Sequence, residues 1–315
     1  MRPPTIAVML ATGALALFNS NTASLWAADG GALAAEYRVD GKVFGMPPAE
    51  VFEEVYDGPP VVGEYLTLAP ALALLPAGNR THNVRIDVIA REIEVGPDIR
   101  YRAWTFGGSV PGPVLHVRAG DRVNFTMKNR STEVVAVTPP ARESSPFLNQ
   151  LAALDLQKGT AIADPMPHSI DFHAGMVAMT DKWRVIQAGQ SIRFQWVANY
   201  PGVFIYHCGS APVFQHMAMG QYGVVVVSPR EGYPTDAEVD RQYVIVQSEF
   251  YLKPGTDGDP LYHLDYDAAL AKQPTIVAFN GHQTAMLQQP LLAAKGDRVR
   301  FYVHNIGPTD PSSFH

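Results

Sequence analysis

The chain contains one cysteine, Cys208, and the residues that follow it could complete a metal site. His216 comes eight residues later, in a C-x7-H spacing, and Gln221 follows that histidine in an H-x4-Q spacing. A thiolate with two imidazoles and a weak fourth ligand is the donor set of a blue-copper electron-transfer site. The spacing therefore predicts a copper site with Cys208 and His216, an axial ligand from Gln221 or the nearby Met219, and a further histidine from upstream.

The upstream histidine is offered by the motif HSIDFH at residues 168–173. On a strand, His168 faces the side opposite to Asp171 and His173, because side chains alternate between the two faces. His207 and Cys208 are adjacent, so they also point to opposite faces. We expect His168 to join Cys208 in one site. His173 would then serve a different site, and if His207 binds a metal other than that of Cys208, the peptide bond between residues 207 and 208 joins two sites.

The remaining histidines are isolated in the sequence. Such histidines in β proteins are mostly satisfied by the backbone or by water. We expect this of His82, His116, His263, His282 and His304. Four histidines grouped in short motifs around the only cysteine are not explained in that way.

The candidate metal ligands have to be held in place by secondary structure, and the sequence predicts mainly β-strands. Period-two alternation bounded by glycine and proline predicts strands of half-buried sheets. Such segments are residues 84–89, 101–106, 123–127 and 191–197, together with the nearly all-apolar run 222–227. Helical periodicity is weak, and one short helix is expected within residues 145–156.

An internal repeat indicates the architecture. The sequence AGDRVNF at residues 119–125 recurs as KGDRVRF at residues 295–301, and FGG at 106–108 matches FNG at 279–281. Two copies of one β domain are the economical interpretation. We predict an all-β fold of tandem Greek-key β-sandwiches, with domain 1 at residues 81–230 and domain 2 at residues 231–315.

The two copies differ in length. The first continues past its Gly-Asp-Arg strand to Ser228, whereas the second stops soon after Asn305, at His315. Half a sandwich would leave a sheet edge and a core face open. We therefore expect the second domain to be C-terminally incomplete in this chain.

Composition narrows the classes of function. A chain of 315 residues with 47% hydrophobic content is long enough for two domains with their own cores. The 26 glycines and 26 prolines suit short strands joined by turns. A formal charge of −6 without a basic tract argues against a nucleic-acid partner. One cysteine excludes an intrachain disulfide and any site that needs two thiolates.

Residues 1–28 have the pattern of a signal peptide. Arg2 precedes the apolar run from Thr5 to Phe18, which is too short to span a bilayer, and small residues follow. We expect export to the periplasm or beyond, with no membrane insertion of the mature protein. A metal-bound thiolate fits an exported protein, where a spare thiol is a liability. Residues 29–80 form an N-terminal segment without an interpretable motif.

The motifs HSIDFH, PGVFIYHC, GSVPGPVLHVRAGDRV and the C-x7-H loop together resemble those of the copper-containing nitrite reductases, which consist of two cupredoxin domains. The resemblance runs from about Thr81 to His315 and implies two cupredoxin sandwiches. It implies that the type 1 copper ligands are His168, Cys208 and His216. It implies that the type 2 copper ligands in this chain are His173 and His207. It implies that the catalytic residues are Asp171 and, in the segment SSFH, His315.

The sequence departs from the family pattern in several places. The family's axial methionine lies five residues after the second type 1 histidine, where this chain has Gln221. Glutamine can serve as an axial ligand, and we favour it over Met219, which would require the loop to be remodelled. The family takes a third type 2 histidine from a neighbouring subunit, and no residue here is assigned to it. The connection at residues 130–165 is longer than is usual in the family.

The resemblance also implies an activity. The expected reaction is the one-electron reduction of nitrite to nitric oxide in periplasmic denitrification, by a homotrimer that holds type 1 and type 2 copper. A small cupredoxin or a cytochrome c would deliver the electron to the type 1 copper. The electron would then cross the bridge from Cys208 to His207, while Asp171 and His315 handle protons.

Two other functions remain open from the sequence. A laccase-like two-domain multicopper oxidase needs paired H-x-H ligands and a histidine on each side of the cysteine, but the chain has no H-x-H and Gly209 follows Cys208. A non-catalytic type 1 copper electron-transfer protein would leave Asp171, His173 and His207 without a role. Copper content separates that carrier, with one copper per chain, from the reductase, with two.

Overall fold

A computed structural model describes residues 37–44, 46–56, 66–67, 71–72, 74–75, 78, 80–137, 159–176, 179–288 and 290–314. The expected signal peptide, the helix expected within residues 145–156 and His315 lie outside the described residues. Strands predominate in the described ranges and the helices are short, so the predicted all-β fold is confirmed. None of the helices in these ranges has the length and apolar character needed to cross a bilayer.

The described strands are numbered in chain order. They are β1 (Tyr37–Val39), β2 (Lys42–Phe44), β3 (Glu50–Glu53), β4 (Leu66–Thr67), β5 (Ala71–Leu72), β6 (Thr81–Arg85), β7 (Val88–Gly96), β8 (Ile99–Phe106), β9 (Val114–Arg118), β10 (Arg122–Lys128), β11 (Ala136–Val137), β12 (Gly159–Ile162), β13 (Asp171–Phe172), β14 (Gln190–Val197), β15 (Gly202–His207), β16 (Tyr222–Ser228), β17 (Arg241–Phe250), β18 (Leu252–Pro254), β19 (Tyr262–Leu264), β20 (Ile276–Phe279) and β21 (Val299–Gly307). The α-helices are Met179–Lys182, Val213–Ala218, Tyr266–Leu270 and Ala285–Gln288, and the 3-10 turns are His173–Gly175 and Asp236–Glu238.

Two sheets enclose the first core. Sheet I has the order β3-β14-β10-β6, and sheet II has the order β13-β15-β16-β9-β4. Alternate apolar side chains of both sheets form one buried cluster, which includes Phe125, Phe172, Trp196 and Tyr206. Cys208 lies in the same cluster, so the only thiol of the chain is enclosed by the first core.

A second core covers the opposite face of sheet II. It receives side chains from sheet III, with the order β11-β12-β7-β8-β19-β18, and from sheet IV, in which β20 and β21 flank β17. Strand β16 contributes to both cores, with Val225 and Val227 in the first and Val224 and Val226 in the second. Burial on both faces explains why the run from Tyr222 is apolar without alternation.

The sequence repeat has a structural counterpart. The backbone N–H of Arg118 donates to Asp121 Oδ2 at 2.9 Å, and that of Ala294 donates to Asp297 Oδ2 at 2.8 Å. Each aspartate thus closes the turn that leads into its strand, β10 or β21. Strand β10 pairs in parallel with β6, and β21 pairs in parallel with β17. The two Gly-Asp-Arg motifs therefore build the same local unit.

The second repeated motif also forms matching turns. Gly107 and Gly108 have φ values of +66° and +90°, and Asn280 and Gly281 have +50° and +83°. Two consecutive residues with positive φ are typical of type I′ hairpin turns, which favour glycine and asparagine. The Phe-Gly-Gly and Phe-Asn-Gly motifs therefore supply the same turn twice.

The segment predicted as a single strand at residues 84–89 is divided. Strand β6 ends at Arg85 in sheet I and β7 begins at Val88 in sheet III. Between them Asp87 is fully buried and accepts hydrogen bonds from Arg85 Nε at 2.9 Å and the Lys128 N–H at 3.3 Å. The prediction of one strand was wrong because the chain crosses between sheets where the alternation looks continuous.

The N-terminal segment, which the sequence left uninterpreted, adds strands to three sheets. Strand β3 pairs with β14, β4 with β9, and β5 with β17. These three strands therefore extend sheets I and II at an edge and add a partner to β17 in sheet IV, while β1 and β2 pair with each other.

Candidate metal centres

Cys208, His168 and His216 come together as one group, called here the cysteine centre. Their ligand atoms lie within 4.8 Å of one another, and all three side chains are buried. His216 Nδ1 lies 3.2 Å from Cys208 Sγ and 3.3 Å from His168 Nδ1. Three donor atoms that converge in this way, inside an apolar core, can hold one metal ion.

Different elements position the three side chains. Cys208 directly follows β15, and His216 lies in the helix Val213–Ala218. His168 is held by a reciprocal pair of backbone hydrogen bonds to Ile186, at 3.0 and 2.8 Å. The cysteine centre is therefore formed by side chains from three different local structures, one of them about 40 residues upstream of the other two.

The surroundings of Cys208 favour the ionised form of its thiol. Burial raises its pKa, but hydrogen bonds and charge from His168 and His216 outweigh burial and hold the pKa well below its usual range. The backbone N–H of Ser169 also points at the sulfur, at 3.4 Å. The thiolate is the form that binds metals, so these contacts favour metal binding.

Gln221 and Met219, the two candidates for the axial position, have different partners. Gln221 is fully buried, and its Oε1 lies 3.0 Å from His216 Nδ1. Met219 Sδ instead accepts a hydrogen bond from the Tyr101 hydroxyl at 3.3 Å. The Gln221 side chain is therefore in contact with the cysteine centre, while the Met219 sulfur is engaged with Tyr101.

Trp104 packs against both imidazoles of the cysteine centre. Its ring centroid lies 4.9 Å from that of His216 and 5.5 Å from that of His168. The indole N–H donates to Asp164 Oδ2 at 2.9 Å, and Asp164 also lies 3.7 Å from Arg102. The indole thus limits the positions that the two imidazole rings can take.

Asp171, His173 and His207 form a second group, called here the second centre. His173 Nε2 lies 3.1 Å from His207 Nε2, and Asp171 Oδ2 lies 3.0 Å and 3.8 Å from these two nitrogens. Asp171 and His207 are buried, whereas 47% of the His173 side chain is exposed. Asp171 faces His207 across the antiparallel pair of β13 and β15. The second centre is therefore open to solvent on the His173 side.

The hydrogen bonds of the second centre fix its protonation pattern. His207 Nδ1 lies 2.8 Å from the Cys208 carbonyl oxygen, which can only accept, so Nδ1 carries the proton and Nε2 keeps its lone pair. The hydrogen bond that His173 Nε2 donates to the Asp171 carboxylate raises the pKa of His173, against the opposite effect of burial. The two Nε2 atoms and the carboxylate lie within 4.8 Å of one another, so a metal ion that replaced the proton between His173 and Asp171 could bind there.

The motif HSIDFH does not form the continuous strand that we expected. Only Asp171 and Phe172 form a strand, β13, while His168 makes an isolated bridge and His173 begins a 3-10 turn. The residues of the motif nevertheless lie in different groups, His168 in the cysteine centre and Asp171 and His173 in the second centre. His315 is the predicted site residue that lies outside the described residues.

Four of the isolated histidines pair with side chains, and one of them, His282, also accepts a hydrogen bond from the Thr284 backbone N–H at 3.2 Å. The pairs are His82 with Asp121, His116 with Ser228, His263 with Asp259, and His282 with Glu94. His304 differs, because burial and the nearby charge of His173 lower its pKa. The sequence pattern had not connected His304 or Trp104 to either centre. Neither residue lies in a ligand motif that could have indicated it.

Known proteins support a family assignment. No protein-family model matches the chain. The copper-containing nitrite reductase of Neisseria meningitidis serogroup A is 35% identical over 266 residues, which are 81% of this chain and 58% of that protein. The chain thus spans less than two thirds of the length of the Neisseria nitrite reductases that it matches.

Solved structures support the same conclusion. A multicopper oxidase structure has a TM-score of 0.54 at 23% identity, covers 78% of this chain and 71% of its own, and shows the shared fold. The copper nitrite reductase from Nitrosomonas europaea has a TM-score of 0.53 at 31% identity, over 73% of this chain and 69% of that one. The predicted resemblance is confirmed, and this chain belongs to the family of copper-containing nitrite reductases.

Proposed function

We propose that the chain functions as a copper enzyme that reduces nitrite to nitric oxide. The observation that carries this proposal is the assignment of two adjacent residues to two donor groups: Cys208 lies in the cysteine centre and His207 in the second centre. An electron carrier needs only the first of these groups. A reductase needs both, because an electron received at one centre has to reach a substrate bound at the other.

The cysteine centre has the donor set of a type 1 copper. A soft thiolate with two imidazoles selects copper over harder ions. The low pKa of Cys208 and the convergence of Nδ1 of His216 on its sulfur support this assignment. We assign the axial position to Gln221, since its Oε1 is in contact with His216 while the Met219 sulfur is bound to Tyr101.

The second centre has donors that suit a type 2 copper. Imidazole nitrogens are good ligands for copper, and the proton on His207 Nδ1 leaves Nε2 free to bind it. Copper at the two centres would supply one-electron transfer at the first, and at the second a Lewis acid that binds nitrite and passes the electron to it. The exposure of His173 gives a small anion access from solvent.

The residues of the chain then have distinct tasks. Reduction of nitrite to nitric oxide and water consumes one electron and two protons. The peptide unit between Cys208 and His207 is the covalent path for the electron. Asp171 is placed to pass a proton to the bound anion, since its carboxylate lies beside the candidate copper ligands, 3.0 Å from His173 Nε2. We assign delivery of the second proton to His315 on the family resemblance alone.

The family resemblance also suggests how the protein is organised. We propose cupredoxin domains at residues 81–230 and 231–315, and the matching turns at Asp121 and Asp297 support this division. We further propose a homotrimer in which a neighbouring subunit completes the second centre. A small cupredoxin or a cytochrome c would be the electron donor. Export to the periplasm and a role in denitrification complete the proposal.

Electron paramagnetic resonance of the copper-loaded protein tests this function. We expect two signals of equal intensity, one with narrow and one with wide hyperfine splitting, and only the wide signal should change when nitrite is added. Cys208→Ser is the control, which should remove the narrow signal alone. Nitric oxide should form when a reduced viologen is the donor. A single narrow signal that ignores nitrite would contradict the proposal and leave an electron carrier.

A further inference from the structure

Trp183 packs beside the short segment that links the two centres. It directly follows the helix Met179–Lys182 and is partly buried. Its ring centroid lies 5.7 Å from that of His207, with the two planes at 77°. A Cβ atom placed on Gly209 would lie 2.7 Å from Trp183 Cε3, closer than real Cβ contacts. The indole therefore packs against both the His207 ring and the backbone of Gly209.

The imidazole of His207 is also held at its two nitrogens. Its Nδ1–H is tied to the Cys208 carbonyl at 2.8 Å, which fixes one edge of the ring. Its Nε2 meets His173 Nε2 at 3.1 Å, but the His173 side chain is 47% exposed, so this contact is a weak restraint on tilt of the His207 ring about the bond to Cβ. The edge contact with Trp183 opposes that tilt, since rotation would drive the imidazole into the indole. Ring orientation matters because a metal binds only along the nitrogen lone pair.

The indole N–H of Trp183 does not explain why a tryptophan occupies this position. Nε1 is buried and has no hydrogen-bond acceptor among the described residues, whereas Nε1 of Trp104 donates to Asp164. An unpaired buried donor costs stability, so its hydrogen bonding does not explain a tryptophan at this position. Trp183 also lies outside both cores among the described residues. The feature of Trp183 that can account for its presence is therefore the size and shape of its ring, which packs against His207 and Gly209.

We propose that Trp183 is a positioning residue that holds the His207 imidazole in the orientation needed to bind copper at the second centre. This inference rests on the proposed role of His207 as a copper ligand. Trp183 acts through His207 and not on the substrate. The arrangement parallels Trp104 at the cysteine centre, so each centre has one indole beside its imidazoles.

The test compares copper binding by the wild-type chain with binding by Trp183→Leu, Trp183→Phe and Gly209→Ala. Removing groups that orient a metal ligand weakens metal binding about 10- to 100-fold. We expect that loss of Cu(II) affinity at the second centre for Trp183→Leu, measured by competition titration with resonance detection. Trp183→Phe should lose less, and it keeps the test open if the leucine variant fails to fold. Gly209→Ala should displace the indole and reproduce the loss.

The cysteine centre supplies the internal control. Its visible absorption should stay unchanged in the Trp183 variants, while Trp104→Phe should alter that absorption and leave Cu(II) affinity at the second centre intact. Wild-type affinity and hyperfine splitting in all three variants at Trp183 and Gly209 would overturn the inference. Equal losses at both centres would overturn it too, by showing general loosening. A wild-type chain that binds no copper at His173 and His207 would instead overturn the proposed function.

Discussion

Replacement of Asp121 by asparagine tests how the repeated Gly-Asp-Arg motif stabilises the fold. The buried carboxylate accepts three hydrogen bonds: from the Arg80 N–H at 2.8 Å, the Arg118 N–H at 2.9 Å and His82 Nε2 at 2.7 Å. An asparagine amide has one oxygen and one NH2, so at least one of these donors would face another donor. An unpaired buried donor costs about 1–3 kcal/mol. Weaker acceptance by the uncharged oxygen adds to this cost, and we expect a loss of about 2–3 kcal/mol.

The effect of Asp121→Asn depends on pH in a defined direction. Burial raises the pKa of Asp121, but the hydrogen bonds from His82, Arg118 and Arg80 outweigh it and lower the pKa overall. A carboxylate whose folded pKa lies below its unfolded pKa contributes stability above the unfolded value, about 3.9, and loses it as the pH falls through the folded value. The part of the difference that comes from the Asp121 charge should therefore shrink below about pH 4.

Urea denaturation followed by far-ultraviolet circular dichroism measures this difference at each pH. Asp297→Asn is the matched control, because the same turn is closed at Asp297 by Ala294 and by an exposed pair with Arg241. Exposed pairs contribute little, so the control should lose much less stability. Equal losses for Asp121 and Asp297, or a difference for Asp121→Asn that grows below pH 4, would refute the reasoning.

Other substitutions test the two centres and the strand between them. Asp171→Asn should reduce turnover about 10²- to 10⁴-fold, the usual contribution of a proton donor, with both copper signals retained; turnover near that of the wild type would rule out this role. Gln221→Met should raise the reduction potential of the cysteine centre, measured by spectroelectrochemistry, while Met219→Leu should leave its visible spectrum unchanged. The reverse pattern would make Met219 the axial ligand. Gly223→Ala should destabilise the fold by about 1–3 kcal/mol, because its Cβ would lie 2.2 Å from Tyr206 Cζ; unchanged denaturation would contradict this packing.

Much of the fold could be predicted because the strands show their burial pattern in the sequence. Residues 122–128 and 190–197 alternate between core and solvent and form β10 and β14 with nearly the predicted bounds. The break at Asp87 could not be predicted, since burial of a charged side chain there depends on Arg85 and Lys128 from the folded structure. The short strands β4 and β5 are likewise defined only by their pairing.

The candidate site could likewise be predicted only in part. One cysteine with histidines at characteristic spacing predicts which residues gather, because metal ligands must be specific residue types. The contacts of Trp104 and Trp183 with those histidines could not be predicted, because aromatic packing between distant segments leaves no spacing in the sequence. The contact of the Met219 sulfur with the Tyr101 hydroxyl could not be predicted either, because Tyr101 lies in a strand more than a hundred residues upstream.

The placement of His207 and Cys208 at the end of β15 limits which insertions and deletions the sequence can tolerate. Insertion or deletion of one residue within Gly202–His207 would exchange the faces of the strand, so that the imidazole would point into the first core and the thiol out of it. The loop after Gly209, up to Pro212, has no such alternation of faces to keep, since its main task is to return His216 to the thiol. Related sequences should therefore vary in the length of that loop while β15 keeps its length, and length changes engineered near the centres belong in the loop.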